Sequence, residues 1–575
     1  MKQILKYMRG YGKECVLGPL FKLLEATFEL MIPLVVAQIM DVGIGNGDGG
    51  YVVNMCLLMV LLGIVGLASA VTAQYFAAKA AVGFAARLRS ALIRKLLGFS
   101  YTQIDDTGTS TMVTRMTSDV NQVQNGVNLT LRLLLRSPFV VFGAMIMAFT
   151  IDFDSALVFA AVIPVLCVVV FGIMLITMPM YKKVQSRLDA VTSATRQNLT
   201  GVRVLRAFCK EQHEIEDFQT ATEALTRSQV RAGRISAIMN PMTFAIVNLA
   251  VVALVQVGAL KVHSGVLTQG MVVALYNYMT QILVELIKMA NLIITITRAV
   301  ACGNRIGAVL QTDTSIDSKG RLRNALQGGV EFRDVCVKYA GASADSLEHI
   351  SFKAEPGQTI GIIGGTGAGK STLVNLIPRL YRAGSGQVLI DGMNVDDMDP
   401  QFLRSHIGIV PQRAVLFRGT IRENLRWGRE DATDDVLWQA LETAQAREVV
   451  KDKAGELDAM IEQGGRNLSG GQRQRLTIAR ALVRQPKILI MDDSASALDY
   501  ATDARLRMSI RAMKNPPTTF IVSQRAASVR YADLILVLDD GQLVGSGTHE
   551  ALLESCEVYQ EIYYSQFPKG GNADE

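Results

Sequence analysis

The chain changes its hydrophobic pattern once along its length. Up to about residue 300, long apolar stretches alternate with polar, basic ones; beyond residue 329, short β-rich runs alternate with helical stretches. Tyr51 to Ala78, Ser155 to Tyr181 and Ile235 to Leu260 contain no Asp, Glu, Lys or Arg. Each exceeds the ~20 residues with which an α-helix crosses a bilayer, and such a length without charge is foreign to a buried helix of a soluble protein. Three further stretches are apolar but charged: Val16 to Met40 with Lys22, Glu25 and Glu29, Leu129 to Ile151 with Arg132 and Arg136, and Met271 to Thr297 with Glu285 and Lys288. Together they predict six transmembrane helices at about residues 16–40, 51–78, 129–151, 155–181, 235–260 and 271–297.

The basic residues orient these spans. Lys79 to Asn128 and Lys182 to Arg234 are rich in Lys and Arg, whereas Asp41 to Gly50 and Asp152 to Asp154 carry none. The positive-inside bias puts the long segments and both termini in the cytoplasm, as expected of a multi-pass protein of a cell membrane, the bacterial inner or plasma membrane. The net charge of +6 then belongs beside an anionic lipid surface and does not call for nucleic acid. Seven cysteines lack any ligand spacing and read as small apolar residues. The N-terminus lacks a cleavable signal pattern. Charged groups within spans are costly and face a bundle interior or an aqueous cavity. Glu25 and Glu29, like Arg132 and Arg136, are four residues apart and so are expected on one helical face. For the arginines, pairing near the cytoplasmic ends is the simpler expectation, and contact of Glu25, Glu29 and Glu285 with a transported solute stays open.

The polar segment Thr312 to Gly329 marks a boundary. After it, Gly329 to Val337, Thr359 to Ile363, Ile407 to Val410, Ile488 to Met491 and Thr519 to Val522 predict strands alternating with helices, an α/β domain with a largely parallel sheet. Gly364-Gly365-Thr366-Gly367-Ala368-Gly369-Lys370-Ser371 follows one such strand and, with Thr372, opens a helix. That context makes it a phosphate-binding loop. Its glycines let backbone N–H groups converge on phosphate oxygens, Lys370 reaches the β- and γ-phosphates, and the Ser371 hydroxyl ligates Mg²⁺. Asp492, at the tip of the apolar strand Ile488 to Met491, is placed to hold the same metal.

In order and spacing, the phosphate loop, the box Leu468-Ser469-Gly470-Gly471-Gln472, the strand ending in Asp492-Asp493 and Ser523-Gln524-Arg525 resemble the nucleotide-binding domain of an ATP-binding cassette (ABC) transporter. Six spans before one cassette resemble a half-size exporter of the type IV fold. The implied architecture is an all-α six-helix transmembrane domain (1–311), a linker (312–329) and an α/β P-loop nucleotide-binding domain (330–575). By the same resemblance, Tyr339 stacks on adenine and Gln412 approaches Mg²⁺ and the attacking water. Ser469, Gly470, Gly471 and Gln472 bind the γ-phosphate of ATP held by a partner subunit, and Asp499 lies in the loop linking two sites. Short segments near Tyr101 to Thr107 and Gly201 to Cys209 would dock on the ATPase domains.

Two positions depart from the family. Where it has a Glu that deprotonates water, this chain has Asp493, and where it has His, this chain has Gln524. Ser494 and Ala495 replace the usual Pro and Thr. A carboxylate one methylene shorter falls ~1.5 Å short, and ~1 Å of misplacement costs on the order of 10²-fold in rate. The expectation is an ATP- and Mg²⁺-binding subunit with a degenerate site, paired with a second half-transporter whose catalytic site it completes, exporting a small-molecule, lipid or peptide substrate. The alternatives are a homodimeric exporter, a siderophore-type importer on the same fold, and an ATP-gated regulator or channel.

Overall fold

The computed structural model describes residues 3–312, 322–339, 342–494 and 497–567. It divides into two compact units, one of Met1–Leu96 and Ser110–Thr312, the other of Leu97–Thr109 and Asp313–Glu575. Thirteen residues of the segment 79–128 between two expected spans, Leu97–Thr109, group with the second unit.

The helices of the first half are α1 (Gly12–Gln38), α2 (Gly49–Leu96), α3 (Tyr101–Thr107), α4 (Thr109–Thr114), α5 (Val120–Leu133), α6 (Arg136–Ile151), α7 (Phe153–Thr200), α8 (Val202–Ala207), α9 (Glu211–His263) and α10 (Gln269–Gln311). Among the described residues, six helical stretches are long and apolar enough to cross a membrane. Helix α2, with 48 residues, is about 70 Å long at 1.5 Å per residue, over twice the ~30 Å of bilayer hydrocarbon. The buried face of α2 begins with small residues, Ser69, Ala73, Ala77, Ala80 and Ala81, before larger ones such as Phe84 and Leu88, and α1 packs against this helix. A similar close approach joins α5 to α10, where a Cβ added to Gly126 would collide with Ala299. Small side chains at such crossings let helices associate by van der Waals contact, without a hydrophobic drive between them.

The third span is not one helix. Helix α5 stops at Leu133 and α6 restarts at Arg136. Pro138 sits in the first turn of α6, where its missing N–H costs nothing, whereas a helix continued through it would clash with the carbonyl of Leu134. Arg132 and Arg136 therefore lie on either side of this break.

Arg136 pairs instead with carboxylates of other spans. Its Nη1 donates to Glu285 Oε1 at 2.5 Å and its Nη2 to Glu29 Oε2 at 2.6 Å. Ser137 Oγ donates to Glu285 Oε2 at 2.9 Å, and Lys288 Nζ to Glu285 Oε1 at 2.8 Å. Arg136 and Glu285 are 6% and 3% exposed, so each buried charge has an opposite one beside it. Glu25 accepts from Lys22 on its own helix. These contacts tie α1, α6 and α10 together within the apolar unit.

The second unit holds β1 (Val330–Val337), β2 (Leu347–Ala354), β3 (Thr359–Gly364), β4 (Ser385–Ile390), β5 (Met393–Asn394), β6 (Ile407–Val410), β7 (Gly419–Thr420), β8 (Met460–Ile461), β9 (Ile488–Asp492), β10 (Thr518–Val522), β11 (Leu534–Asp539) and β12 (Gln542–Gly547). Its helices are α11 (Lys370–Leu376), α12 (Pro400–Ser405), α13 (Ile421–Arg426), α14 (Asp434–Thr443), α15 (Arg447–Lys451), α16 (Gly470–Val483), α17 (Tyr500–Arg511), α18 (Ala526–Val529), α19 (His549–Ser555) and α20 (Glu557–Gln566). The main sheet runs β12-β11-β3-β10-β9-β6, parallel except for the edge strand β12. A second, antiparallel sheet, β2-β1-β4-β5, was not expected from the sequence. Strands buried on both faces read as continuous apolar runs, as Ile488 to Met491 of β9 do. Ile488 and Ile490 enter a core shared with the antiparallel sheet, while Leu489 and Met491 enter the core of the helices α14 and α16. The main sheet is thus a wall between two cores.

Candidate nucleotide site

Strand β3 delivers the chain to the phosphate loop. At Gly369, with φ +88°, an added Cβ would sit 2.6 Å from the Ser346 carbonyl oxygen, so only glycine makes this turn into α11. Gly365 and Gly367 face open space on the side a Cβ would occupy, leaving a cradle a phosphate fits. Lys370 is 9% exposed, and its Nζ donates to Gly364 O at 2.9 Å and to Gly365 O. Burial pulls its ammonium below the ordinary range, opposed by the charges of Asp493 and Asp492. A buried cation resting on two carbonyls is poised to take anionic oxygens in exchange.

Ser371 Oγ donates to Asp492 Oδ1 at 2.9 Å. Burial pushes the Asp492 carboxyl up, partly countered by that hydrogen bond. Among the described residues no cluster of three or more His, Cys, Asp or Glu gathers to hold a metal. The Ser371–Asp492 pair is instead the sparse set that suits Mg²⁺, which keeps several waters and shares its shell with phosphate oxygens. Gln412 Nε2 donates to Asp493 Oδ2 at 3.4 Å, and the Tyr339 and Thr372 hydroxyls lie 2.9 Å apart.

Tyr339, residues 366–372, Gln412, Asp492, Asp493 and Gln524 line one cavity of about 290 Å³, together with Ser523 of the Ser523-Gln524-Arg525 motif and with Ser346 and Val522, which sequence reasoning missed. Ser346 enters from the β1–β2 loop and carries no motif. A larger cavity of about 440 Å³ lies elsewhere, walled by Met491, Met508, Ile510, Pro516 and Tyr531. Its arginines, Arg507 and Arg511, are engaged by Asp503 and Asp533, whereas the smaller, polar cavity gathers the residues of the expected phosphate loop.

The signature box stands apart from it. Ser469 caps α16, its Oγ accepting from Gln472 N at 3.2 Å while Gln472 Oε1 accepts from Ser469 N at 3.0 Å, a capping box that fixes the helix start. Gly470 lines a separate cleft with Gln412, Arg413 and Ala497, and neither Ser469 nor Gly471 nor Gln472 lines the nucleotide cavity. Asp499 caps α17 by accepting from Thr502 N and Oγ1, each at 2.8 Å, and these bonds hold its carboxyl below the usual range. Ala495 and Ser496 lie outside the described residues.

Asp493 has φ +45°, a left-handed conformation that Asp tolerates better than most residues, and its N–H donates to Val522 O at 2.9 Å. The Gln524 side chain is exposed. Its loop is held from the C-terminal helix: Gln566 Nε2 donates to Gln524 O, and Gln566 Oε1 accepts from Ala526 N, both at 2.8 Å.

Comparison with known proteins agrees with this geometry. Residues 15–286 match the family model described as ABC transporter transmembrane region, and residues 347–496 match that described as ABC transporter. A Bacillus subtilis protein named "Uncharacterized ABC transporter ATP-binding protein YfiB" is 36% identical, covering 100% of both chains. An "ATP-dependent lipid A-core flippase" from Aromatoleum aromaticum is 30% identical, covering 98% of this chain and 96% of that one. A solved structure titled "Structure of a bacterial Atm1-family ABC exporter with ATP bound" matches with TM-score 0.81 at 23% identity, covering 96% of this chain and 99% of that one, a likeness of fold. With a phosphate loop, a signature box and six membrane spans in one chain, this multi-pass membrane protein belongs to the ABC transporter family.

Proposed function

We propose that the chain is one subunit of a heterodimeric, ATP-driven exporter, binding ATP at a site of its own that hydrolyses poorly. The observation that carries the reading is the contrast within one cavity. Lys370, Ser371 and Asp492 form an intact phosphate and metal set, while the two hydrolytic positions hold Asp493 and Gln524. In this reading Tyr339 would offer its ring to adenine, Lys370 would exchange its carbonyl partners for phosphate oxygens, and Ser371 with Asp492 and Gln412 would hold Mg²⁺, which would supply charge neutralisation on the phosphates. Asp493 stands too far back to take a proton from water, and Gln524 hydrogen-bonds without carrying positive charge.

The separation of Ser469 to Gln472 from this chain's own cavity supports a second role. On a partner cassette packed head-to-tail, the start of α16 would supply N–H groups and the Ser469 hydroxyl to the partner's bound γ-phosphate. The basic segments orient both termini toward the cytoplasm of a bacterial cell. The 30% identity to a lipid A-core flippase favours an amphipathic, lipid-like substrate.

Binding needs no general base, so ATP should stay on this chain through many turnovers at the partner's site. The test is photolabelling of the co-purified heterodimer with a nucleotide analogue. Label on this subunit, lost in Lys370→Ala, is expected; wild-type heterodimer without label here would refute the retained nucleotide.

A further inference from the structure

Tyr381 follows α11 and appears in no motif of the family resemblance. Its hydroxyl donates to Asp105 Oδ2 at 2.7 Å, and Asp105 belongs to α3, in the segment Leu97–Thr109 that groups with the ATPase unit. Its ring meets Tyr339 edge-on, with centroids 5.3 Å apart and planes at 89°, and meets Tyr101 of α3 at 5.9 Å and 63°. Burial, then the hydrogen bond to Asp105 and its negative charge, push the phenol's pKa up, so it remains a donor at any physiological pH. Helix α3 is itself rigidly started, by a capping box of Ser100 and Gln103. Residues 97–100 separate it from the end of α2 at Leu96.

We propose that Tyr381 is a positioning residue that reports occupation of the nucleotide base platform to α3. One ring touches the platform and the same residue's hydroxyl grips the carboxylate of α3. A base laid on Tyr339 restricts that ring, the edge-to-face contact restricts Tyr381, and the charge-assisted hydrogen bond fixes Asp105. Edge-to-face pairs and hydrogen bonds to carboxylates are directional, so orientation as well as occupancy is passed on. The inference rests on the reading of Tyr339 as the adenine platform.

Hydrogen–deuterium exchange of the full transporter in lipid nanodiscs tests it without a transport substrate. MgATP should slow exchange of the α3 amides, Ile104 to Gly108, by about tenfold, the effect of holding one charge-assisted hydrogen bond more firmly. Magnesium tripolyphosphate, which fills the phosphate loop but has no base, should leave them unchanged. Tyr381→Phe keeps both ring contacts and should cut the MgATP effect to less than about twofold while changing ATP affinity by less than about twofold. Asp105→Asn should behave alike, the double variant should be no worse than either single one, and Asp106→Asn should match wild type. A purely structural role would not make the α3 response depend on the base. Equal MgATP protection of α3 in wild type and ATP-bound Tyr381→Phe, or equal protection by tripolyphosphate, overturns the proposal. Tyr339→Ala tests the platform separately: unchanged ATP affinity there would refute the platform reading, whatever Tyr381→Phe shows.

Discussion

Asp493→Glu is the sharpest probe of the degenerate site proposed above. The substitution adds one methylene and moves the carboxylate outward by ~1.5 Å, the shortfall that the proposed reading assigns to Asp493. Correct placement of a general base is worth on the order of 10²-fold, or ~2.7 kcal/mol of barrier. Part of that gain is offset locally. Residue 493 sits at φ +45°, where Asp is favoured over Glu, and the poorer fit of Glu costs at most ~1 kcal/mol, about fivefold. The net expectation is a rise of about twentyfold in this site's turnover. The assay is ATP hydrolysis by heterodimer whose partner cassette is silenced at its own phosphate loop, so that only this chain's cavity turns over. Adding Gln524→His should raise the rate further by restoring a group able to carry charge. If the wild type already turns over as fast as the double variant, Asp493 is not a defect and the degenerate reading is wrong.

Three other expectations follow from the geometry. Ser469→Ala should lower the heterodimer's ATPase rate by about tenfold or more, as loss of one donor to a phosphate charge does, while Asp493→Ala changes it less than about twofold; reversed effects would show the two sites were assigned the wrong way round. The Asp492 carboxyl is held up in the folded state, so its ionisation costs stability as pH rises through the ordinary carboxylate range near 4. Asp492→Asn, which keeps an acceptor for Ser371, should therefore raise the metal-free Tm at pH 7 by about 1–3 °C and abolish the MgATP-induced Tm shift; a lower metal-free Tm would contradict the sign. In the membrane unit, Arg136→Met leaves Glu285 with only Ser137 and Lys288 as partners and Glu29 without its arginine, costing about 3–5 kcal/mol; thermal unfolding in detergent should show a large loss, substantially restored in Arg136→Met/Glu285→Leu, and an additive double variant would mean the pair is not coupled.

What the sequence made legible is what local rules govern. The phosphate loop could be read because glycines at fixed spacing have one backbone use, and β9 because a run such as Ile488 to Met491 has no solvated face. The break before Arg136 was signalled by Pro138 but masked by the apolar run around it. The charge cluster was not readable, since Arg136 and Glu285 are 149 positions apart and nothing local pairs them. The antiparallel sheet was missed because β2 mixes polar and apolar residues without strict alternation, following its partly exposed pattern. Ser346 and Tyr381 were missed because their positions come from loops meeting in space.

The sheet that walls off two cores has a genetic consequence. Neighbouring residues of one strand, such as Leu489 and Ile490, answer to different packing partners. A cavity opened by shortening Ile490 can be refilled only from the side of Phe332, Val388 and their neighbours, and one opened at Leu489 only from the α14 and α16 side. Second-site suppressors of core lesions should therefore sort into two groups that do not cross, even when the original lesions are adjacent in the chain.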